Sequence, residues 1–257
     1  MSIACHAERR VSTPGVLVLV AAACAWLITL IVSDDMGAMP GTMGLNLAGF
    51  VGVWTVMTAA MMLPLVTSLA SMYERSLLAG RGWRLGAFVA GYLLVWVAAG
   101  APAFGLAVLV GDVAPRSRGS ATATAVIIFA ACGLYQLTPL KDRCLARCRA
   151  SLHHLRQYAS WRGRLRDLRV GLYHGAYSLG CCWALMVVLL AFGMMNVAAM
   201  LVLAAMMSIE KVFVRGEALS RLVGVLALGL AFAVIWAPGL APGLHPPSVA
   251  ASHMAGM

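Results

Sequence analysis

Seven stretches of about 16 to 25 mostly apolar residues leave this chain few ways to fold. They lie at about 14–32, 48–70, 86–110, 121–140, 170–191, 194–209 and 218–237, the sixth being the shortest. About 20 apolar residues of helix cross the hydrocarbon core of a bilayer. In lipid, the backbone hydrogen bonds must close within the spanning segment. Only 11% of the 257 residues are charged and 62% are hydrophobic, whereas soluble domains carry roughly 25% charged residues. No ten-residue alternation of the kind that builds a membrane barrel occurs. The expected fold is therefore all-α: a polytopic transmembrane helix bundle of about seven spans over residues 1–237. A disordered tail is expected over 238–257, where Pro238, Pro242, Pro246 and Pro247 alternate with small residues.

A net charge of +10 invites a nucleic-acid reading, but the placement of the charge argues against one. Under the seven-span arrangement, 17 of the 19 Lys and Arg fall on one side of the membrane and only Arg116 and Arg118 on the other. That bias predicts a cytoplasmic N-terminus and an outside C-terminus, with the basic side facing anionic lipid. Leu152, Leu155, Tyr158, Leu165 and Leu168 recur among arginines between 141 and 169, which predicts an amphipathic helix on the inner surface. The first apolar run reaches Val32, too long for the core of a cleaved signal peptide. A multi-pass protein of a bacterial inner membrane is the expectation.

Sulfur is distributed unusually for a plain apolar bundle. Met61-Met62, Cys181-Cys182, Met194-Met195 and Met206-Met207 are adjacent pairs within or beside apolar runs. Thioethers and thiolates are soft ligands suited to Cu(I). Met57 and Met61 share a helix face, and Pro64 removes one backbone hydrogen bond just beyond them. His174, Ser178, Cys182 and Met186 step by four along one stripe. Adjacent cysteines point about 100° apart on a helix, so Cys181 and Cys182 reach one ion only if the helix opens, which Gly180 eases. Cys144 and Cys148 are expected to face each other across one turn, their thiol pKa values lowered by Lys141, Arg143, Arg147 and Arg149. Asn196, Met200, Leu203, Met207 and Glu210 fall along one face, with Glu210 turned inward and Lys211 snorkelling to the surface. Met36, Met39 and Met43, beside Asp34 and Asp35, form a loop suited to capturing a soft cation outside.

The charge of the ion narrows its identity. An ion at mid-bilayer favours a nearly neutral site. Cu(I) with one thiolate and one or two thioethers is neutral, whereas Zn(II) needs two thiolates or a carboxylate, and hard ions want oxygen ligands. The expected cargo is Cu(I), or another soft ion.

At Ala60-Met61-Met62-Leu63-Pro64, at Tyr135 to Lys141 leading to Cys144 and Cys148, at Gly180-Cys181-Cys182-Trp183-Ala184-Leu185-Met186, and at Gly193-Met194-Met195-Asn196 followed by Glu210-Lys211, the chain resembles a bacterial family of predicted metal-binding integral membrane proteins. The resemblance spans roughly residues 48–211. It departs after Asn196, where Val197, Ala198 and Ala199 stand in place of a nearby aromatic. It implies metal binding and supplies no mechanism.

The expectation is a sulfur-lined transmembrane route. Met36, Met39 and Met43 collect the ion. Met57, Met61, Met62, Cys181, Cys182 and Met186 hold it, with Met194 and Met195 nearby. Met206, Met207 and Glu210 lead inward to Cys144 and Cys148. A thiol-disulfide relay through Cys181/Cys182 and Cys144/Cys148 is one rival. The other is an accessory subunit that delivers metal to a periplasmic, cytoplasmic or membrane partner. No nucleotide-binding loop or Ser/His/Asp triad signal occurs, so neither an ATP-driven pump nor a hydrolase is expected.

Overall fold

The computed structural model describes residues 13–36, 41–75, 81–149, 161, 163–213 and 215–244. Among these the chain is all-helical. In order come α1 (Thr13–Met36), α2 (Leu47–Arg75), α3 (Arg81–Val113), α4 (Arg118–Gln136), α5 (Pro139–Arg149), α6 (Arg166–Phe192), α7 (Val197–Val212) and α8 (Gly216–Trp236), with short 3-10 turns at Ala114–Arg116 and Pro238–Leu240. Six helical stretches are long and apolar enough to cross a membrane. The segment expected as a sixth span, α7, has 16 residues and is not among them.

Close helix contact rests on missing side chains. α3 and α6 cross where Gly171 meets Phe88 and Gly91 meets Leu168. A Cβ on Gly171 would lie 2.0 Å from the Phe88 carbonyl oxygen, and one on Gly91 2.2 Å from that of Leu168. Lipid tails are as apolar as leucine, so helices in a bilayer associate through such backbone approaches rather than by hiding apolar surface. α4 and α8 meet the same way, with Gly133 facing Gly224. α1 lays Val18, Ala22 and Ala25 on α2 and leaves Leu17 and Ile31 bare. At one end of the bundle, Asp167 of α6 accepts two hydrogen bonds from Arg84 of α3, at 3.0 and 3.1 Å. Asp167 also accepts the Tyr73 hydroxyl of α2, so three helices are tied at that end.

Three expectations need correction. The run read as 121–140 is two helices: α4 ends at Gln136, and α5 begins at Pro139. Proline disfavours a helical residue before it and suits a first turn. The stripe of α5, formed by Lys141, Leu145 and Cys148, is buried within the bundle rather than left for lipid. Of the rest of the segment expected to be amphipathic, Leu152, Leu155 and Tyr158 lie outside the described residues, while Leu165 is exposed and Leu168 half-buried. The start of the tail is also packed. Gly243 N–H donates to the Ala191 carbonyl at 3.0 Å, and Ala241 and Leu244 are buried.

Candidate metal centre

The site is made by the return of α5 into the bundle. The backbone N–H of Lys141 donates to the Thr138 hydroxyl at 3.3 Å, satisfying one of the open donors at the new helix start. Burying one face of α5 against α6 carries Cys148 to Cys181. Their sulfurs lie 3.7 Å apart, and the sulfurs of Cys181 and Cys182 lie 3.2 Å apart. All three cysteines are buried, with Cys181 the middle member of a three-sulfur string. α6 stays helical through both cysteines. The two sulfurs approach each other without any opening of the helix. Gly180 serves a different purpose: a Cβ there would lie 2.9 Å from the Cys144 sulfur. The glycine leaves room for that side chain.

Cys144 and Cys148 are thus divided, one placed at Gly180 and the other at Cys181. Nor is Cys144 acidified as expected. Burial pushes its thiol up and outweighs the opposing pull of Lys141, with Cys182 adding to the rise. A buried thiol loses solvation when it ionises, and one neighbouring ammonium does not restore it here.

Charged groups surround the string. Lys141 and Glu210 are almost wholly buried, 0% and 1% exposed. Nζ of Lys141 donates to Glu210 Oε2 at 2.8 Å and to the Cys181 carbonyl at 2.5 Å. Gln136 Nε2 donates to Glu210 Oε1 at 3.2 Å, and Ser220 donates to Gln136 at 3.4 Å. Burial alone would lower the Lys141 ammonium. Glu210 and then Cys182 and Cys181 more than offset it, and the net shift is upward. Both Glu210 oxygens are therefore engaged, one by Lys141 and the other by Gln136. Lys211 does not snorkel away: its Nζ donates to Ser178 at 3.0 Å, whose hydroxyl lies 2.9 Å from the Tyr92 hydroxyl. A cavity of about 60 Å³ touches Cys148, Lys211, His174, Tyr92 and Arg149.

The thioethers are less concentrated than the thiols. Met57, Met61, Met62, Met186 and Met207 are buried in the bundle interior, and α2, which carries three of them, packs on α7. Met194 and Met195 are buried too. They follow the far end of α6, where Phe192 stands about 15 Å along the helix from Cys182. Met206 lines an apolar cavity with Phe129, Cys132 and Leu230. Met43 is buried with φ +56° and does not offer its sulfur outward. Met39 and the side chain of Met36 lie outside the described residues. Asn196 caps α7, its side chain accepting from the Ala199 N–H. Among the described residues no three His, Cys, Asp or Glu side chains form a ready-made cage for a metal; the cysteine sulfurs run as an open string.

Gln136 and Tyr92 had no role in the sulfur-route reading, where Lys141 stood only as a neighbour of the thiols, Ser178 only as a member of the Cys182 stripe and Lys211 only as a surface group. One signal pointed to Lys141: it shares a helical stripe with Leu145 and Cys148, where a solvated lysine does not belong.

A family model described as PpoB2, copper chaperone, matches residues 51–234. No curated protein matches the chain, and neither does any solved structure.

Proposed function

Since this chain belongs to the PpoB2 copper chaperone family, we propose that it is a membrane-embedded chaperone that takes Cu(I) between Cys148 and Cys181 and releases it through Cys182. The observation that carries this is the sulfur string itself: three buried thiols on two helices, with a cross-helix separation of 3.7 Å. Two sulfurs each about 2.3 Å from one metal ion are about 3.8 Å apart at a tetrahedral angle and about 4.6 Å apart when opposed. Cys148 and Cys181 need only a small adjustment to bracket an ion. Cys181 and Cys182, at 3.2 Å, are too close to do so without rotation. An open string suits a chaperone better than a closed cage, because each sulfur can be exchanged in turn. Low coordination by soft sulfur favours Cu(I) over Zn(II), which takes four ligands in structural sites.

The wider arrangement belongs to the same proposal. The chain crosses a bacterial inner membrane seven times, with α7 as the shortest crossing, the N-terminus cytoplasmic and the C-terminus outside. Residues 1–237 form one bundle, and lipid covers the exposed leucines and isoleucines. The string then lies toward the cytoplasmic side, reached by α5. The interior methionines Met57, Met61, Met62, Met186 and Met207 provide weaker sites leading to it, and a partner metalloprotein or carrier receives the copper. Within a thiol-disulfide relay, a bridge between the adjacent Cys181 and Cys182 is disfavoured. Adjacent Cα atoms are 3.8 Å apart, short of the roughly 4.4–6.8 Å that a relaxed disulfide spans.

The test is a competition titration of detergent-purified chain with Cu(I). Wild type takes one ion per chain, and Cys148→Ser with Cys181→Ser takes none at the same competitor strength. Unchanged stoichiometry in the double variant rejects the assignment.

A further inference from the structure

We infer that the copper reaches this site as an anionic Cu(I)–thiolate complex rather than as a free cation, and that Lys211 is the counter-charge that admits it. This rests on the reading of the sulfur string as a Cu(I) site, and it names the form of the cargo.

Among the described residues, the charges near the string do not cancel. Lys141 and Glu210 neutralise each other. Asp142 pairs with Arg221 and Asp167 with Arg84. Among the described residues Lys211 has no carboxylate partner, and its Nζ contacts the Ser178 hydroxyl at 3.0 Å. The small cavity it shares with Cys148 is also lined by Val212, which is 83% exposed. Arg149 lines the same cavity. Among its described lining residues, the cavity beside the first sulfur therefore carries ammonium and guanidinium and no carboxylate. A field of that sign in a low-dielectric cleft repels a bare cation and concentrates an anion.

A bis-thiolate Cu(I) complex with a small thiol carries one negative charge at its metal centre. Exchange proceeds without any change in that charge. The Cys148 thiol gives its proton to one departing thiolate as its sulfur bonds to copper, and one small thiol leaves. Cys181 then repeats the exchange with the second. Copper stays Cu(I), two copper–sulfur bonds break and two form, and two neutral thiols leave. The bound centre, Cu(I) between two thiolates, is still singly negative, and Lys211 brings the site to neutrality. A free Cu(I) cation would instead have to expel two protons past the same positive groups.

The experiment is stopped-flow quenching of tryptophan fluorescence in the full chain in detergent; Trp183 adjoins Cys182 in sequence. Two donors are compared: Cu(I) with excess glutathione, and Cu(I) in dilute acetonitrile. The glutathione donor is expected to load with a bimolecular rate that falls as ionic strength rises, and the acetonitrile donor with the opposite slope. Lys211→Met is expected to slow loading from glutathione about tenfold or more at low salt, and Lys211→Arg to stay within about twofold of wild type. If Lys211→Met does not fold, Arg149→Gln reports the same loss of salt dependence from the cavity lining. Equal salt slopes for the two donors, or unchanged rates in Lys211→Met, overturn the inference while leaving one copper per chain at equilibrium. No copper bound from either donor removes the sulfur site and the inference together.

Discussion

Replacing Glu210 with glutamine leaves Lys141 buried without its counter-ion, and the structure sets the size of the effect. The lysine is 0% exposed and its partner 1%, so water cannot take over the carboxylate's role. Removing one member of such a pair costs about 3–5 kcal/mol. The lysine has one escape, to lose its proton. At pH 7 that costs about 4.6 kcal/mol from an ordinary pKa near 10.4, at about 1.36 kcal/mol per unit, and it caps the penalty. Glu210→Gln should therefore destabilise the bundle by about 3–4.6 kcal/mol, measured as loss of helicity on titrating dodecyl sulfate into mixed micelles. Adding Lys141→Met should recover at least about 2 kcal/mol of that loss, because no buried charge then remains unpaired. The pH dependence carries its own sign. In wild type the Lys141 pKa is raised above 10.5, so its contribution is complete below that value and declines only as pH climbs through the raised one. In Glu210→Gln, burial acts unopposed by the carboxylate. The unfolded chain then binds more protons, and stability rises with pH above 7, by up to about 1.4 kcal/mol per unit. A loss under about 1 kcal/mol in Glu210→Gln, strict additivity in the double variant, or a flat pH profile would refute the pairing as the support of α5.

Gly171→Leu should abolish stable α3–α6 contact, since even a Cβ meets the Phe88 carbonyl at 2.0 Å; size-exclusion chromatography in mild detergent should show aggregation, and a monodisperse variant would count against this crossing. Because burial holds the Cys144 thiol above its ordinary value of 9.0, its alkylation should be slow at pH 7 and still accelerating beyond pH 9; a plateau below pH 8 would show the opposite shift. Peptide mapping after mild oxidation should find no bridge between Cys181 and Cys182, and a vicinal disulfide in the folded chain would revive the relay.

The helices were legible because a long apolar run has one solution in lipid, and each expected span has a helical counterpart. Their ends were harder to place. Pro139 marked the end of α4 plainly, but hydropathy carried the run past it to Leu140. The stripe Met200, Leu203, Met207 and Glu210 is buried as its spacing indicated, since helix period alone sets a face. The partnership of Cys148 with Cys181 was not legible. The pair is separated by 33 residues, and helix spacing speaks only for neighbours three or four apart. That limit led to pairing Cys144 with Cys148, whereas tertiary packing sent one sulfur into the space over Gly180 and the other to Cys181. Lys211 misled for a related reason. A lysine at a helix end snorkels when lipid surrounds it, but this one faces Ser178 and Tyr92 across a packed interface.

X-ray absorption at the copper edge, on detergent-purified chain loaded with one equivalent of Cu(I), addresses the site without a competitor or a label. The expected first shell is two or three sulfurs with no nitrogen or oxygen, collapsing in Cys148→Ser with Cys181→Ser. A shell containing nitrogen or oxygen, or a sulfur shell that survives the two serines, would contradict it.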